Sequence, residues 1–267
     1  MTMIPRLHLW EFHDQPWCPR GVRDAITDLL QWTLTAVHHY AVAVPVLVAA
    51  LRRTGATTVV DLGSGGGGPW GRVLPDLAVR GIVPDLVLTD KYPNTPALDR
   101  ARRRLGKRVR VEPAPVDATA VPPSLTGFRT LFTTFHHFPP AAARAVLADA
   151  RRQAPGIAVC EVTRRSPAAL VAMLGFVLIF FVVPFLRPFR WDRLFWTFVV
   201  PLVPLVAVWD GVVSCLRTYT PAELRALVQG FDDWEWDARE VARPWWPFPV
   251  TCLVGYPKMS GEGKVHE

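Results

Sequence analysis

The stretch VVDLGSGGGGPW, residues 59–70, constrains the fold more than any other part of the chain. Two valines lead into Asp61, and five glycines follow within the next seven positions. Glycine is unfavourable inside strands and helices, so a cluster of this density indicates a loop that something must approach closely. A strand, a glycine loop and a helix in this order place a ligand at the carboxyl end of a parallel sheet.

Apolar periodicity extends this unit into a longer alternation of strands and helices. A long helix over 21–53, broken at Pro45, comes before the glycine loop, and a helix with a Thr220, Pro221 and Glu223 capping box comes near the end. The alternation predicts an α/β fold with a mostly parallel sheet covered on both faces. The predicted strands are 57–62, 84–90, 108–117, 128–138, 156–163, 233–240 and 249–257, and the helices between them are 69–79, 97–106 and 141–154.

The spacing Asp61-x-Gly63-x-Gly65-x-Gly67 resembles the first motif of class I S-adenosylmethionine-dependent methyltransferases. A nicotinamide-binding Rossmann domain has G-x-G-x-x-G without the preceding acid, because it must seat a pyrophosphate. LVLTD, which ends at Asp90, is similar to the second motif of that family, and VDA at 116–118 is similar to the third. The resemblance implies a Rossmann-like, seven-stranded methyltransferase sheet with S-adenosyl-L-methionine as cofactor.

The resemblance also implies roles for individual residues. Asp90 is expected to accept hydrogen bonds from two ribose hydroxyls, and Asp117 is expected to meet the adenine amino group. From the residues alone, a helix cap at Asp90 and a turn residue at Asp117 are the alternatives. The full set of expected cofactor-binding residues is Asp61, Gly63, Ser64, Gly65, Gly67, Asp90, Lys91, Asp117 and Ala118.

The candidate catalytic residues follow the fourth and fifth predicted strands. His136 and His137 lie in TTFHHFPP, and Glu161 ends the fifth strand. In the family, the segment after the fourth strand lines the methyl-transfer site, so one histidine is expected to act as a base or to orient a carboxylate. A structural strand-end pair of histidines and a helix cap at Glu161 remain open. No Asn/Asp-Pro-Pro-Tyr-like motif is present, which argues against methylation of nucleobases or protein amides.

A hydroxyl acceptor would need a general base, whereas a carboxylate acceptor is already deprotonated. We expect O-methylation of a small lipophilic acceptor, and a carboxylate rather than a hydroxyl, because the site offers no obvious activating acid except Glu161. Two alternatives are C-methylation of a quinone or isoprenoid ring and a non-catalytic membrane adaptor that kept the fold.

Two apolar runs interrupt the alternation after the fifth strand. The first, 166–186, has 21 residues without a charge, which is long enough to cross a bilayer core as one helix. The second, 194–209, contains Pro201 and Pro204, and tryptophans lie at its edges as interface anchors would. The runs predict a membrane-embedded or interfacial helical pair with the catalytic domain on the cytoplasmic side. A buried lid or a dimer surface is the alternative.

The pattern around these runs, including WDGVVSCLRTYTPAEL, resembles a group of bacterial membrane-associated methyltransferases. Its general architecture is also similar to that of fungal membrane methyltransferases that esterify small carboxylic acids. The resemblance implies a small-molecule acceptor and membrane lipid as partners.

Charge distribution and cysteine spacing bear on whether the chain binds nucleic acid or metal ions. The formal net charge is +7, and seven Lys or Arg residues lie between positions 100 and 110. No aromatic residues are interleaved with them, so nucleic acid is not expected as a partner. The four cysteines lie far apart, without zinc-site spacing, and no metal site is predicted. The first residues lack the pattern of a secretory signal, and the oligomeric state stays open.

The predicted organisation has five segments. They are an N-terminal helical cap (1–55), a cofactor-binding α/β core (56–165), a hydrophobic helical insertion (166–217), a C-terminal helix with antiparallel strands (218–258) and a flexible tail (259–267).

Overall fold

The computed structural model describes residues 4–175, 177–187, 189–242 and 249–258, and the predicted tail, 259–267, lies outside them. Its strands are β1 (Thr58–Leu62), β2 (Asp85–Thr89), β3 (Val109–Val111), β4 (Phe128–Phe132), β5 (Ile157–Glu161), β6 (Trp234–Val241) and β7 (Val250–Pro257). Its helices are α1 (Arg20–Val37), α2 (Val44–Thr54), α3 (Trp70–Val79), α4 (Thr95–Leu105), α5 (Pro140–Gln153), α6 (Pro167–Gly175), α7 (Val177–Phe180), α8 (Trp191–Leu194), α9 (Leu202–Arg217) and α10 (Pro221–Leu227).

The seven strands form one sheet in the order β3-β2-β1-β4-β5-β7-β6. β1 to β5 pair in parallel, and β7 pairs antiparallel with both β5 and β6. This arrangement confirms the α/β prediction. Because the order reverses between β1 and β4, the carboxyl ends of those strands flank a crevice in which open α/β sheets bind ligands.

Strand alternation explains the two cores that cover the sheet. On β1, Val59 packs into an apolar cluster that also contains Leu47 of α2, Trp70 of α3 and Leu98 of α4. Val60, its neighbour, points to the opposite face and packs into a cluster with residues of α5 and α10. Helices on both faces therefore bury β4 and β5 completely and β1 and β2 almost completely, whereas Arg110 of the edge strand β3 is exposed.

Three predicted boundaries differ from those in the structure. The first helix ends at Val37, and His38 and a 3₁₀ turn separate it from α2, so that Pro45 lies in the first turn of α2 rather than at the break. β3 ends at Val111 because Pro113 and Pro115 have no amide hydrogen to continue the ladder. β4 ends at Phe132, where Thr133 takes a φ of 47°, and the two histidines lie on a 3₁₀ turn, Phe135–His137.

A helical insertion follows β5, as predicted, but its first apolar run is not one helix. The run is divided between α6, α7 and a 3₁₀ turn at Val183–Phe185. Within the described ranges, no single helix is long and apolar enough to cross a bilayer. The segments Trp191–Val199 and Leu202–Arg217 meet that length and composition only as a pair, and the chain bends by 76° between them.

The insertion packs against the N-terminal helix α1 rather than against the sheet. Val22 and Ile26 of α1 share a buried cluster with Phe180 of α7 and with Val203 and Val206 of α9. This cluster holds the insertion and the N-terminal region above the carboxyl edge of the sheet.

Candidate active site

Asp61 stabilises the glycine loop through buried hydrogen bonds. Its carboxylate is 2% exposed and accepts hydrogen bonds from Ser64 Oγ and Thr130 Oγ1, each at 2.7 Å. Burial raises the pKa of Asp61 to about 6, although the two hydroxyl donors act in the opposite direction. Asp61 does not line the cavity above the loop. Its hydrogen bonds shape the loop, and a direct contact with the cofactor stays a prediction.

The three glycines of the predicted motif have different tasks. Gly63 has a φ of 72°, and a Cβ there would lie 2.5 Å from Thr134 Cγ2. Gly65 has a φ of 52°, and a Cβ there would point into open space, so its backbone is accessible to a ligand. Gly67 has a φ of 102° and packs against Ala101 of α4, away from the cavity. Gly67 therefore serves helix packing rather than the predicted ligand contact.

Asp90 connects the end of β2 to the glycine loop. Its Oδ2 accepts a hydrogen bond from the Gly65 amide at 2.9 Å, and its Oδ1 accepts one from the Tyr92 amide at 2.8 Å. Each carboxylate oxygen has two lone pairs, so both retain capacity for a further donor. This is the capacity that two ribose hydroxyls would use.

Asp117 forms an ion pair with Lys91, at 2.7 Å between Oδ2 and Nζ, and Thr119 donates to its other oxygen. These donors lower the pKa of Asp117 to about 2, and the hydrogen bond from Lys91 has the largest effect. Both residues line the cavity together with Ala118.

A single cavity of about 1730 Å³ joins the predicted site residues. The glycine loop, Asp90 and Asp117 line it together with residues of the insertion and of the N-terminal segment. The predicted residues that line it are Gly63, Ser64, Gly65, Asp90, Lys91, Asp117, Ala118, His136 and His137.

His136 is fixed by Glu161, which lies behind it. The Nδ1 atom of His136 lies 2.7 Å from Glu161 Oε2, and Glu161 Oε1 accepts the amides of Phe135 at 2.7 Å and Thr134 at 3.1 Å. Burial would raise the pKa of Glu161, but the hydrogen bond from His136 and the positive charge of its ring when protonated hold the pKa below its usual range. Glu161 does not line the cavity, and its contacts position His136, while a catalytic role for Glu161 stays a prediction.

His137 lies beside two carboxylates and is about a quarter exposed. Burial would lower its pKa, but Glu11, Asp14 and the hydrogen bond to Asp14 raise it to about 9. Its ring therefore carries a proton at neutral pH and is not a general base there. Of the two predicted histidines, only His136 keeps that role.

None of the protein-family models matches the chain, and no curated protein matches its sequence. Among solved structures, the chain is similar to the plantazolicin methyltransferase BpumL in complex with SAH, with 10% identity, a TM-score of 0.57, and coverage of 92% of this chain and 94% of that one. The chain has the class I methyltransferase fold.

A weaker likeness links the chain to magnesium protoporphyrin IX methyltransferase (ChlM) from Synechocystis PCC 6803 with bound SAH. The identity is 12%, the TM-score is 0.47, and the match covers 82% of this chain and 84% of that one.

The N-terminal segment adds site residues to this methyltransferase fold that the sequence analysis missed. Arg6 fixes the segment by donating to the backbone oxygens of Arg217, at 2.6 Å, and Phe138, at 3.1 Å. The segment then carries Glu11, His13 and Asp14 into the cavity. The sequence WEFHD at 10–14 was the available signal, since it combines two acids and a histidine within four positions.

Asp210 of α9 completes this group. It accepts the backbone amide of Phe12 at 2.5 Å and lies 2.8 Å from His13 Nδ1. Burial would lower the pKa of His13, but Asp210, Asp14 and Glu11 raise it. From the sequence, Glu161 was the only acid expected near the histidines, whereas the fold brings the carboxylates of Glu11, Asp14 and Asp210 to the cavity wall.

Proposed function

We propose that this protein transfers a methyl group from S-adenosyl-L-methionine to a hydroxyl group of a small lipophilic acceptor at a membrane surface. One observation carries the proposal: a single cavity is lined by the glycine loop and Asp90 and also by His136. A cofactor pocket and a candidate base are thus open to each other inside the class I methyltransferase fold.

The residues at the loop fit the cofactor. The open space beside Gly65 accepts a ligand that touches the backbone, and Asp90 has spare lone pairs for two hydroxyl donors. Lys91, Asp117 and Ala118 line the adjoining region, where the adenine ring would lie. When bound, S-adenosylmethionine supplies an electrophilic methyl group. The protein must then align the acceptor and exclude water, which can account for much of the rate acceleration.

The polar end of the cavity favours a hydroxyl acceptor over a carboxylate. Glu11, Asp14 and Asp210 line it, and an acceptor anion beside them would meet like charges in a partly buried site. A neutral hydroxyl avoids that cost. Its proton has a suitable acceptor in His136, because Glu161 accepts from Nδ1 and so leaves the lone pair of Nε2 directed into the site.

The other wall favours a lipophilic acceptor. Ala169 and Met173 of α6, Phe180 of α7 and Ala207 of α9 line it with apolar side chains. Burying apolar acceptor surface there contributes roughly 25 cal/mol per Å².

The outer surface of the insertion supports the membrane location. Trp191 is 77% exposed, and Phe185 is 69% exposed. Monomeric proteins rarely expose many large apolar side chains in one region, and such patches mark protein or membrane contacts. The other exposed large apolar residues of the insertion are Val171, Leu174, Phe181, Val182, Phe189, Phe195, Phe198, Val199, Leu205 and Trp209.

A methyl-transfer assay tests the proposal. Purified protein is incubated with S-adenosylmethionine labelled in its methyl group and with a lipid extract as the acceptor source. We expect label in the organic phase, in a product that resists mild alkaline hydrolysis as an ether does. Label released by alkali would indicate a methyl ester and overturn the hydroxyl assignment. Absence of any transfer by a protein that binds the cofactor would overturn the proposed activity.

A further inference from the structure

The Nε2 atom of His136 has a polar surrounding but no hydrogen-bond partner among the described residues. The side chain is 1% exposed, and its Nδ1 atom already binds Glu161. The nearest carboxylate oxygen on the other side, Glu11 Oε1, lies 3.7 Å from Nε2, which is too far for a hydrogen bond. A buried ring nitrogen that faces a carboxylate across such a gap needs a further partner.

The neighbouring ring repeats this spacing. His137 Nδ1 lies 3.7 Å from Glu11 Oε2, and the ring centroids of the two histidines lie 4.3 Å apart. One ligand atom from each of Glu11, His136 and His137 lies within 4.8 Å of the others. Zinc-ligand bonds are about 2.0–2.2 Å long, so two atoms 3.7 Å apart can both bind one ion at an angle of about 120°.

We propose that Glu11, His136 and His137 bind one divalent transition-metal ion in the cavity. Two imidazoles and one carboxylate form a ligand set used for Zn²⁺ and Fe²⁺ in proteins. The set leaves at least one coordination position for a ligand from the cavity.

The environment of His136 matches that of a metal ligand in a second respect. A ligating histidine commonly donates its other ring hydrogen to a carboxylate, which fixes the tautomer and the ring orientation. Glu161 provides that carboxylate at 2.7 Å, and it is itself held by two backbone amides. The Nε2 atom therefore has its lone pair directed toward Glu11.

The charges around the cluster also favour a cation. Four carboxylates converge there, and within 4.0 Å of them the part of the chain that the structure describes provides only one permanently charged side chain, Arg217. Their other ionisable partners in that range are histidines. The carboxylates belong to Glu11, Asp14, Glu161 and Asp210.

Arg217 is a cation that already contacts the cluster, since its Nη1 atom lies 3.4 Å from His137 Nδ1, and an ion bound there would displace the guanidinium from that ring. Its NH1 lies 3.1 Å from Glu11 Oε1, and Ser214 Oγ donates to the same oxygen at 2.9 Å. Glu11 Oε2 lies 3.7 Å from His137 Nδ1 and lacks such a donor among the described residues, so it is available to the ion on the His137 side, whereas Oε1 faces Nε2 of His136. Binding displaces the proton of His137, as metal ions do at any protonated ligand.

Metal binding does not depend on the proposed methyl transfer. The effect of a bound ion on the acceptor hydroxyl, in contrast, rests on that proposed function. With an ion in place, Nε2 of His136 is a ligand, and a hydroxyl that takes the remaining position ionises more easily. The hydroxyl proton would then pass to solvent, and His136 would act as the base only in the metal-free protein.

Titration with Co²⁺ tests the proposal, because its visible absorption reports the ligands and the geometry. Protein dialysed against a chelator receives Co²⁺ alone, and we expect saturation at one ion per chain. Glu11→Gln and His136→Gln should each weaken Co²⁺ binding by at least about 10–100-fold. Glu161→Gln should weaken it by a similar factor, because the carboxylate that orients the His136 ring is lost. The control His38→Asn, at a histidine that pairs with Asp76 and does not line the cavity, should bind as the wild type does.

Absence of stoichiometric Co²⁺ binding would overturn the proposal, and so would equal binding by Glu11→Gln and His136→Gln. If a variant folds poorly, thermal denaturation of the wild type with and without Co²⁺ tests the site instead. An ion that binds only the folded state must raise Tm. A Tm unaffected by Co²⁺ overturns the site. Calorimetry with S-adenosylmethionine on the same samples separates the two hypotheses, because a failed metal site leaves cofactor binding intact.

Discussion

Glu161 holds His136 in a fixed orientation, with 2.7 Å between Oε2 and Nδ1. The acid ends β5 and the histidine lies on the turn after β4, so the pairing of two adjacent parallel strands brings them together. The orientation directs the remaining ring nitrogen of His136 away from the sheet.

His136→Gln is predicted to slow methyl transfer by about 10²–10⁴-fold, because glutamine keeps a hydrogen-bonding group but takes up no proton near neutral pH. Affinity for S-adenosylmethionine should stay the same, since the loop and Asp90 are untouched. Initial rates with labelled cofactor and calorimetry check the two parts. Full activity in folded His136→Gln would remove this residue from the mechanism, and His38→Asn serves as the control.

Asp61 makes stability depend on pH. Its pKa is raised from 3.8 to about 6 in the folded protein, so the buried carboxylate is protonated more readily in the folded state than in the unfolded one. Its contribution to stability is then greatest below the unfolded pKa and declines as pH rises through the folded pKa. We predict that Asp61→Asn gains about 2–3 kcal/mol relative to the wild type between about pH 4 and pH 7.

Urea unfolding of the cofactor-free proteins at a series of pH values measures this difference. A constant free-energy difference between Asp61→Asn and the wild type across that range would show that the pKa is not raised.

Asp149→Ala is predicted to cost about 3–5 kcal/mol of stability, because it leaves a buried arginine without its partner. Arg129 NH1 lies 2.5 Å from Asp149 Oδ2, and both side chains are at most 2% exposed. Denaturant unfolding provides the free energy. The apolar double replacement Arg129→Met with Asp149→Leu should recover much of the loss, whereas a loss below 1 kcal/mol in Asp149→Ala would contradict the importance of this pair.

The exposed face of the insertion is predicted to bind lipid. Trp191→Ser combined with Phe185→Ser should reduce sedimentation with phosphatidylglycerol-containing vesicles, because two aromatic anchors are lost. Val79→Ser is the matched control, since Val79 is 86% exposed on α3, outside the insertion. If the wild type stays in the supernatant, or if Val79→Ser has the same effect as the double variant, the insertion is not a membrane contact.

Much of the fold could be predicted because local patterns and global topology agree. The valines before Asp61 mark a buried strand, the glycine loop marks its end, and the Thr220–Glu223 capping box is present as predicted. The end of β4 could not be predicted in this way. TTFHHF has strand-like composition, but Thr133 takes a positive φ that ends the strand.

The site was harder to predict where it depends on contacts distant in sequence. Glu11 meets Arg217 and the histidines only because α1 and α9 pack together above the sheet, and no local pattern encodes that. The roles of Asp61 and Gly67 depend on the burial of the loop's lower face, which spacing alone does not reveal. The position of Asp90 was easier to predict from the sequence, because its place at the end of β2 follows from the strand order.

The most direct measurement is isothermal titration of the wild type and Asp90→Asn with S-adenosylmethionine and, separately, with NAD. We predict micromolar binding of S-adenosylmethionine, weaker binding of NAD, and a loss of about 1.5–3 kcal/mol in Asp90→Asn, since a charged acceptor of ribose hydroxyls becomes neutral. Asp99→Asn, at an exposed acid of α4, is the control. Unchanged S-adenosylmethionine binding in Asp90→Asn, or tighter binding of NAD by the wild type, would contradict the assignment of this cavity to the methyl donor.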